Sequence, residues 1–530
     1  MTSVTNYSKA KVDDLLAGKY ALPVGGMPLS DMKVADLDGR FPKQRVQLTD
    51  NCMGRSQNGA TVSNVGTYRF AHKVGVAGTD IQLGFGNWYT SFPPPTKDID
   101  PAGQVTFAAA FEDSSGNVYR CTFGGAASVT LPGGGSVLAD PLPIDVAVGD
   151  IVYTRVYISA GSALSNRGTG LNAVGGFTAT TDLTPSGSGA VGGTFTLNGF
   201  DAMCIIGTPT GTARPKSVVI QGDSIAFGTG DGLFSGQEFG YLPQVAANLY
   251  YAGGGYLQRA LSGNAGSIQQ AFPSDSIGNF LAGVGHFRRS ALTRFTKYAV
   301  LGYGKNDISA GRTAVQVQGD LLTQAYRNIA KGLYGSVVVT FTPATTSTDA
   351  WATVGNQSGT GVGESERVAH NAWVRAGCPI VNGARVAVGT SGALLAGQPG
   401  HPILGYLEVA DVLESARDSG KWKAANRTVA DAAISASGTT LTSATANFTS
   451  ADIGRDVSIA GAGASGALLA GVITTINSST SVTITASAST TVSGARCAIA
   501  PYTADGLHPS GVAHAALAAA IQSPLLALLS

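Results

Sequence analysis

Short apolar runs alternate with a helical pattern in the middle of the chain, and this order restricts the fold most strongly. Residues 217–220, 298–303 and 336–341 are apolar or β-branched runs typical of buried strands. Between the last two runs, apolar residues recur at helical spacing, namely Val317, Leu321, Leu322, Ala325 and Ile329. Strand, helix and strand in this order predict a parallel sheet with right-handed crossovers. Residues 379–381 predict a further strand.

The first predicted strand leads into Gly222, Asp223 and Ser224, which places Ser224 at a strand-to-helix turn. A serine hydroxyl is a poor nucleophile at neutral pH and needs a base that a third group orients. Asp505 and His508 lie three residues apart in one predicted loop. The carboxylate can hold one imidazole tautomer while the other ring nitrogen faces Ser224, so these three residues are the candidate catalytic triad.

Acyl transfer also needs hydrogen-bond donors for the tetrahedral oxyanion. Three candidate donors are the backbone N–H of Gly263, the side-chain amide of Asn306 and the backbone N–H of Ser224. Functional loops of a parallel sheet lie at the carboxyl ends of its strands. Ser224 and Asn306 both follow predicted strands and are expected at that edge.

Each motif alone also has a structural interpretation. Residues 222–224 are a common turn sequence, and Asp505 with His508 can belong to a solvated helix start before Pro509. Asn306 can cap the helix that follows it. The occurrence of all the motifs together, in this order and behind predicted strands, favours the catalytic interpretation.

The four blocks resemble those of the SGNH (GDSL-type) hydrolase superfamily: Gly-Asp-Ser at 222–224, Ser-Gly at 262–263, Gly-x-Asn-Asp at 304–307 and Asp-x-x-His at 505–508. The resemblance covers roughly residues 215–425 and 500–530. It implies a three-layer α/β domain, Ser224 as nucleophile, Asp505 and His508 as its triad partners, Gly263 and Asn306 in the oxyanion hole, and no cofactor. The third block departs from the frequent Gly-Gly-Asn-Asp form by Lys305, and the gap before the last block is unusually long.

The length of 530 residues predicts two to four domains. Residues 41–212 show regularly spaced short strands and turn clusters, which predict an all-β, jelly-roll-like sandwich. Residues 427–499 are rich in Ala, Ser, Thr and Gly with alternating runs, and are too long for a structureless loop. They predict a small inserted β-domain, so that the hydrolase domain comprises residues 213–426 and 500–530.

The charge balance excludes several classes of partner. The chain has 34 basic and 33 acidic residues and is only 13% charged, so it has no electrostatic footprint for nucleic acid or anionic membranes. Neutral partners such as glycans fit better. Five scattered cysteines without Cys-x-x-Cys spacing predict free buried thiols, and we expect no metal. We also expect no membrane-spanning run and no secretory signal.

Residues 1–40 are predicted to be an attachment or oligomer segment. Residues 7–19 predict a short amphipathic helix, which can be only a loosely held terminal helix. Their pattern also resembles segments common near the ends of bacteriophage tail-fibre and tailspike proteins. That resemblance implies contacts with phage tail components, a homo-oligomer such as a trimer, and a location in the virion. The other location considered is extracellular, without a recognisable signal peptide.

Together these patterns predict a serine esterase that removes O-acetyl groups from a polysaccharide, with a bacterial surface glycan as the expected substrate. Asn87, Trp88 and Tyr89 are a candidate sugar-stacking surface, although a Trp in a sandwich is more often core. A lipolytic esterase and a non-enzymatic tail adhesin are the alternatives. Neither the substrate-binding residues nor the sugar can be chosen from the sequence.

Overall fold

The computed structural model describes residues 45–50, 52–53, 61–62, 65–91, 96–161, 163–164, 176–192, 194–196, 199–211, 214–234, 250–252, 255–282, 286–361 and 363–530. The segment 1–40, including the helix predicted at 7–19, lies outside these residues.

The amino-terminal region contains strands that pair antiparallel with one another, except Cys52–Met53, which pairs parallel with a strand of the α/β unit. They are β1 (Val46–Gln47), β2 (Cys52–Met53), β3 (Thr61–Val62), β4 (Gly66–Lys73), β5 (Gly78–Gly86), β6 (Tyr89–Thr90), β7 (Asp98–Ile99), β8 (Val105–Glu112), β9 (Val118–Arg120), β10 (Val129–Leu131), β11 (Ser136–Leu138), β12 (Ile151–Gly161), β13 (Ala163–Leu164), β14 (Gly176–Ala179), β15 (Thr194–Thr196) and β16 (Cys204–Pro209). One sheet has the order β1-β16-β5-β11 and another has β10-β8-β12-β4-β14-β15, with β9 beside β8. Residues of both sheets share one hydrophobic cluster, to which Leu83 and Phe107 belong. The jelly-roll-like sandwich stays a prediction.

The middle of the chain and the carboxyl terminus form an α/β unit. Its strands are β17 (Ser217–Gly222), β18 (Gly232–Phe234), β19 (Tyr250–Ala252), β20 (Gly266–Gln269), β21 (Tyr298–Gly302), β22 (Gly335–Val339), β23 (Thr345–Ser347), β24 (Gln357–Gly359), β25 (Ile380–Val381), β26 (Ala384–Arg385) and β27 (Ile403–Leu407). Its helices are α1 (Ser224–Phe227), α2 (Gly255–Leu261), α3 (Ile277–Leu281), α4 (Phe287–Leu292), α5 (Lys305–Ser309), α6 (Ala314–Ala330), α7 (Glu364–Arg375), α8 (Ala410–Leu413) and α9 (Gly511–Leu528), with a 3₁₀ turn at Thr293–Phe295.

A parallel sheet of order β2-β20-β17-β21-β22-β27 organises this unit. Successive side chains of a strand point to opposite faces. Val218 and Ile220 accordingly belong to a hydrophobic cluster with Leu257 of α2 and Leu517 of α9. Val219 belongs to a second cluster with Leu321 of α6. The sheet is therefore covered by helices on both faces, as the order of the sequence patterns predicts.

Two details of this sheet differ from the prediction. The strand predicted at 379–381 is present as Ile380–Val381, but it pairs antiparallel with Ala384–Arg385 in a small hairpin and does not join the parallel sheet. The strand beside β22 is Ile403–Leu407. Strand β2 pairs with β20, so the segment 41–212 also contributes to the α/β sheet.

Residues inserted before the Asp505 loop form a closed barrel of order β28-β29-β32-β31-β30-β33. The strands are β28 (Arg427–Ile434), β29 (Thr440–Thr442), β30 (Asp456–Ile459), β31 (Leu469–Ser478), β32 (Ser481–Ile484) and β33 (Val492–Ile499). Short 3₁₀ turns lie at Ser450–Asp452 and Ala464–Gly466. The first and last strands pair through Arg427 and Ile499, so the barrel leaves and re-enters the α/β unit at neighbouring points.

Helix α9 begins after the predicted catalytic loop. Among the described residues it is the one helix that is long and apolar enough to cross a membrane, which contradicts the expectation that no run has this length and composition. In the structure its residues Ala513, Leu517, Ile521 and Leu525 are buried in the hydrophobic cluster of the α/β unit. Such a helix is also typical of a protein core.

Two smaller predictions concern buried side chains. All five cysteines are free and buried. The side chain of Trp88 is only 2% exposed and Asn87 is also buried, so these two members of the candidate sugar-stacking surface are not available to a sugar, while Tyr89 is half-buried. Trp88 belongs to the core, where a large apolar ring is most stable.

Candidate active site

Ser224 lies where the chain turns from β17 into α1. Asp223 precedes the helix, and its Oδ1 atom accepts a hydrogen bond from the backbone N–H of Ile225 at 3.0 Å. A side chain at Gly222 would collide with Ala226 and with the carbonyl oxygen of Gly302, so only glycine permits this close turn. The structure thus presents Ser224, which is 8% exposed, at the carboxyl end of a central strand.

His508 lies between Ser224 and Asp505. Its Nε2 atom is 2.9 Å from Oγ of Ser224, and its Nδ1 atom is 2.6 Å from Oδ2 of Asp505. Burial raises the pKa of Asp505, but hydrogen bonds from the His508 ring and from the backbone N–H groups of His508 and Leu507 outweigh it, so the net pKa is lowered. An ionised Asp505 favours a proton on Nδ1, which leaves Nε2 able to accept the proton of the serine.

The loop that carries Asp505 and His508 is fixed at Gly506. The carbonyl oxygen of Gly506 accepts hydrogen bonds from the backbone N–H of Thr345 at 2.9 Å and from Nε1 of Trp422 at 3.0 Å. Its own N–H donates to Oγ1 of Thr503 at 2.9 Å. Gly506 has φ of +78°, and a side chain there would collide with the carbonyl of Thr345. These contacts orient the loop without help from Ser224.

Asn306 lies at the same edge of the sheet as Ser224. Gly222 and Gly302 are paired across β17 and β21, and each strand ends there. The Nδ2 group of Asn306 donates to the backbone carbonyl of Asp275 at 2.8 Å. A carboxamide has two N–H groups, so this bond orients Nδ2 and leaves a second hydrogen for an oxyanion.

Gly263 lies at the opposite edge of the sheet, so its predicted place in the oxyanion hole is wrong. It precedes β20, whose first residue Gly266 pairs with Ser217 at the beginning of β17. A side chain at Gly263 would meet Lys73 of the amino-terminal region. Because Ser224 follows the end of β17, the length of a whole strand separates it from Gly263.

The turn after β20, and not Gly263, lies at the edge of the sheet that carries Asn306. Ser274 of this turn has φ of +64°, a conformation that favours glycine, and it lines a cavity together with Asn306. The sequence prediction did not include this turn, because the Ser-Gly dipeptide lies before the strand and not after it. The position in the sequence could have indicated this turn. Oxyanion donors lie at the carboxyl edge of the sheet, and residues at that edge must follow the strand at 266–269.

A buried network holds this turn in place. Oδ1 of Asp275 accepts from Oγ1 of Thr96 at 2.7 Å, and its Oδ2 lies 3.2 Å from Nη1 of Arg289. Nε of Arg289 lies 3.1 Å from Oδ1 of Asp98. Thr96 and Asp98 belong to the amino-terminal region, so that region contributes to the position of the turn beside Asn306.

Lys305, the departure from the frequent motif, is buried and its Nζ donates to the carbonyl of Thr342 at 3.2 Å. Burial lowers the pKa of Lys305 to about 8. Burial also raises the pKa of Asp223 to about 7, and both residues line one small cavity. Within the described part of the chain, no group of three or more His, Cys, Asp or Glu residues is arranged to hold a metal ion.

Comparisons with known proteins give remote similarity of structure. No protein-family model and no curated protein matches the sequence. Similar solved structures include a "putative acylhydrolase" from Bacteroides fragilis NCTC 9343, at 13% identity and a TM-score of 0.29, covering 61% of this chain and 92% of that chain. An active-site mutant of a family two carbohydrate esterase from Clostridium thermocellum has 11% identity and a TM-score of 0.20, covering 54% and 74%. A peptidoglycan O-acetylesterase has 8% identity and a TM-score of 0.20, covering 63% and 77%.

These neighbours are acylhydrolases and carbohydrate esterases.

Proposed function

We propose that this protein is an SGNH-type serine ester hydrolase that works through an acyl-enzyme. The observation that carries the proposal is the continuous hydrogen-bonded chain from Ser224 through His508 to Asp505, with distances of 2.9 Å and 2.6 Å. Nucleophile, base and orienting carboxylate within hydrogen-bond reach are what acyl transfer requires.

The reaction would proceed in two balanced steps. Oγ of Ser224 bonds to the ester carbonyl carbon while its proton passes to Nε2 of His508, and the collapsing intermediate expels the alcohol, which takes that proton. In the second step, water gives a proton to Nε2 of His508 while its oxygen bonds to the acyl carbon. The bond from that carbon to Oγ of Ser224 then breaks, the carboxylic acid leaves, and the proton on His508 returns to Oγ of Ser224. The backbone N–H of Ser224 and Nδ2 of Asn306 are the proposed oxyanion donors.

We propose O-acetyl groups of a polysaccharide as the substrate, with a bacterial surface glycan as the expected source. A near-neutral chain with 34 basic and 33 acidic residues suits such a partner. The cavity beside Asn306 contains few apolar side chains, namely Leu281, Ala282 and Ala310, which disfavours a lipolytic esterase that binds long acyl chains.

A non-enzymatic adhesin is the competing class. A scaffold that only binds glycan does not need a serine, an imidazole and a carboxylate in one hydrogen-bonded chain. The location on a phage tail and the trimer remain proposals that rest on residues 7–19, outside the described residues, and on the Ser/Thr-rich insert. Peptides of this protein in mass spectra of purified virions would support that location, and their absence would contradict it.

The test of the proposed function is acetate release. Wild-type protein and Ser224→Ala are incubated with 4-nitrophenyl esters of increasing acyl length and with acetylated polysaccharides. We expect the wild type to prefer acetyl esters and the variant to lose nearly all turnover. A wild-type protein that is inactive on every ester would support the adhesin, and a preference for long acyl chains would support the lipolytic enzyme.

A further inference from the structure

A cavity of about 830 Å³ opens beside Asn306 and has no assigned ligand. Three segments line it: the turn with Ser274 and Ser276 after β20, helix α3 with Asn279, and the segment from α5 into α6, with Arg312 in the connection and Asp320 in α6. Asn306 belongs both to this lining and to the proposed oxyanion hole. A group that occupies the cavity would therefore adjoin an ester carbonyl bound at Ser224.

The cavity is much larger than an acetyl group requires. An acetyl group has few heavy atoms and fills roughly the space of two or three water molecules, at about 30 Å³ each. Cavities of about 300–1,000 Å³ are typical of sites for whole small molecules. The volume of this cavity therefore fits one or two sugar rings beside the reacting ester.

Arg312 is held in the lining by two carboxylates. Its Nη1 atom lies 2.9 Å from Oδ1 of Asp307 and 2.6 Å from Oδ2 of Asp320. Asp307 is buried and also accepts the backbone N–H groups of Ile277 and Gly278 at 2.9 and 3.0 Å. The guanidinium is thus anchored to both α3 and α6, and its orientation is preset.

This arrangement still offers groups to a ligand. Among the described residues, the hydrogen bonds and ion pairs of Arg312 use Nη1, which leaves the donors at Nε and Nη2. The Arg312 side chain is 29% exposed and that of Asp320 is 25% exposed. The guanidinium of Arg312 can donate hydrogen bonds, and the carboxylate of Asp320 beside it can accept them. Neighbouring sugar hydroxyls both donate and accept hydrogen bonds, so they suit this pair.

The charge of the cluster selects against acidic ligands. One guanidinium and the two carboxylates of Asp307 and Asp320 leave one net negative charge at neutral pH. A uronate or phosphate group would be repelled by that charge, and a neutral ring would not.

We propose that this cavity is a subsite for a neutral sugar residue of the acetylated glycan, with Arg312 and Asp320 binding ring hydroxyls. The assignment of the sugar as part of a substrate rests on the proposed esterase function. The binding itself does not, and it can be measured without turnover.

The test is calorimetric titration of Ser224→Ala protein with hexasaccharides of xylose, glucose and N-acetylglucosamine as neutral probes, and with hexagalacturonate as the acidic probe. We expect at least one neutral probe to bind more tightly than hexagalacturonate. Adding Arg312→Ala or Asp320→Ala should weaken that binding about 10-fold or more, because each removes a hydrogen bond to a charged group. Adding Arg417→Ala is the matched control, since this arginine also pairs with an aspartate but is 66% exposed and lies outside the cavity lining.

Circular dichroism and melting curves would check that each variant folds. Removal of Arg312 leaves the buried Asp307 carboxylate without its cationic partner, so Asp320→Ala, which keeps the Arg312–Asp307 pair, carries the test if Arg312→Ala unfolds. The proposal is overturned if no neutral probe binds, if neither cavity variant weakens binding, or if hexagalacturonate binds best. Acetate release by the wild type is measured separately, so a binding protein without esterase activity would refute the proposed function and leave the sugar subsite intact.

Discussion

Asp456→Asn should stabilise the protein at alkaline pH. Asp456 begins β30 of the inserted barrel, and its Oδ2 accepts the backbone N–H of Gly511, the first residue of α9, at 3.2 Å. Burial raises the pKa of this carboxyl from 3.8 to about 7, with Asp231 adding to the effect and Arg455 opposing it. The asparagine keeps an oxygen that can accept from Gly511 and removes the ionisable group.

The sign follows from the two states. When folding raises the pKa of an aspartate, its contribution to the free energy of unfolding is fully present only below the pKa of the unfolded state. That contribution is lost as the pH rises through the pKa of the folded state. A pKa rise from 3.8 to about 7 corresponds to an upper limit of about 4 kcal/mol at about 1.4 kcal/mol for each pH unit. The side chain is partly exposed, and a charge at a helix amino terminus is favourable by up to about 1 kcal/mol. We therefore expect a net gain of about 1–3 kcal/mol.

Thermal unfolding of wild type and Asp456→Asn is followed by circular dichroism at pH of about 5 and about 8. The variant should melt several degrees higher at the alkaline pH and gain clearly less at the acidic one. Asp431→Asn is the matched control in the same barrel, because hydrogen bonds from Ser443 and Thr445 lower the pKa of Asp431, so its loss should destabilise at the alkaline pH. If Asp456→Asn melts lower than wild type at pH of about 8, or shifts melting equally at both pH values, the reasoning is refuted.

The remaining predictions concern the catalytic groups and the barrel. Asn306→Ala should lower kcat by about 10² to 10³ with little change in KM, because its amide acts on charge that develops in the transition state; an effect on KM alone would make Asn306 a substrate binder. His508→Ala should abolish turnover of an aryl acetate, whereas Asp505→Asn should keep a small remaining activity, because it changes only the orientation and charge stabilisation of the imidazole; equal loss in both variants would contradict these separate roles. Replacement of residues 427–499 by a short linker should leave a folded protein that still hydrolyses aryl acetates, because the barrel begins and ends at paired strands. Circular dichroism and aryl-ester assays check this prediction. A folded but inactive protein would show that the barrel positions the catalytic loop.

The local patterns predict three strands of the parallel sheet, β17, β21 and β22, because each is a short apolar run, and they predict α6 from its regular helical spacing. Strands β2, β20 and β27 were not predicted; β20, for example, has the sequence Gly-Ser-Ile-Gln and shows no apolar run. Ser224, Asn306, Asp505 and His508 were all found from the sequence, and the structure brings Ser224, His508 and Asp505 into one hydrogen-bonded chain. Their role in catalysis stays a proposal until it is measured.

The failures have a common physical cause. Whether a run such as 379–381 joins the parallel sheet depends on partners far away in sequence, and the hairpin with Ala384–Arg385 satisfies its hydrogen bonds locally. Gly263 was assigned by a dipeptide motif, although only the direction of β20 decides which of its ends faces Ser224. The contact of Thr96 with Asp275 joins residues 179 positions apart, and no local signal encodes it.

The most direct test of the central claim is the mass of the intact protein after incubation with a fluorophosphonate, a reagent that bonds to an activated serine. The account predicts one adduct on wild-type protein, mapped by peptide sequencing to Ser224, with parallel loss of aryl-acetate hydrolysis. Ser224→Ala should remain unlabelled and inactive, and His508→Ala should label far more slowly. An adduct at another residue, or an unlabelled wild type that still hydrolyses the ester, would contradict Ser224 as the nucleophile.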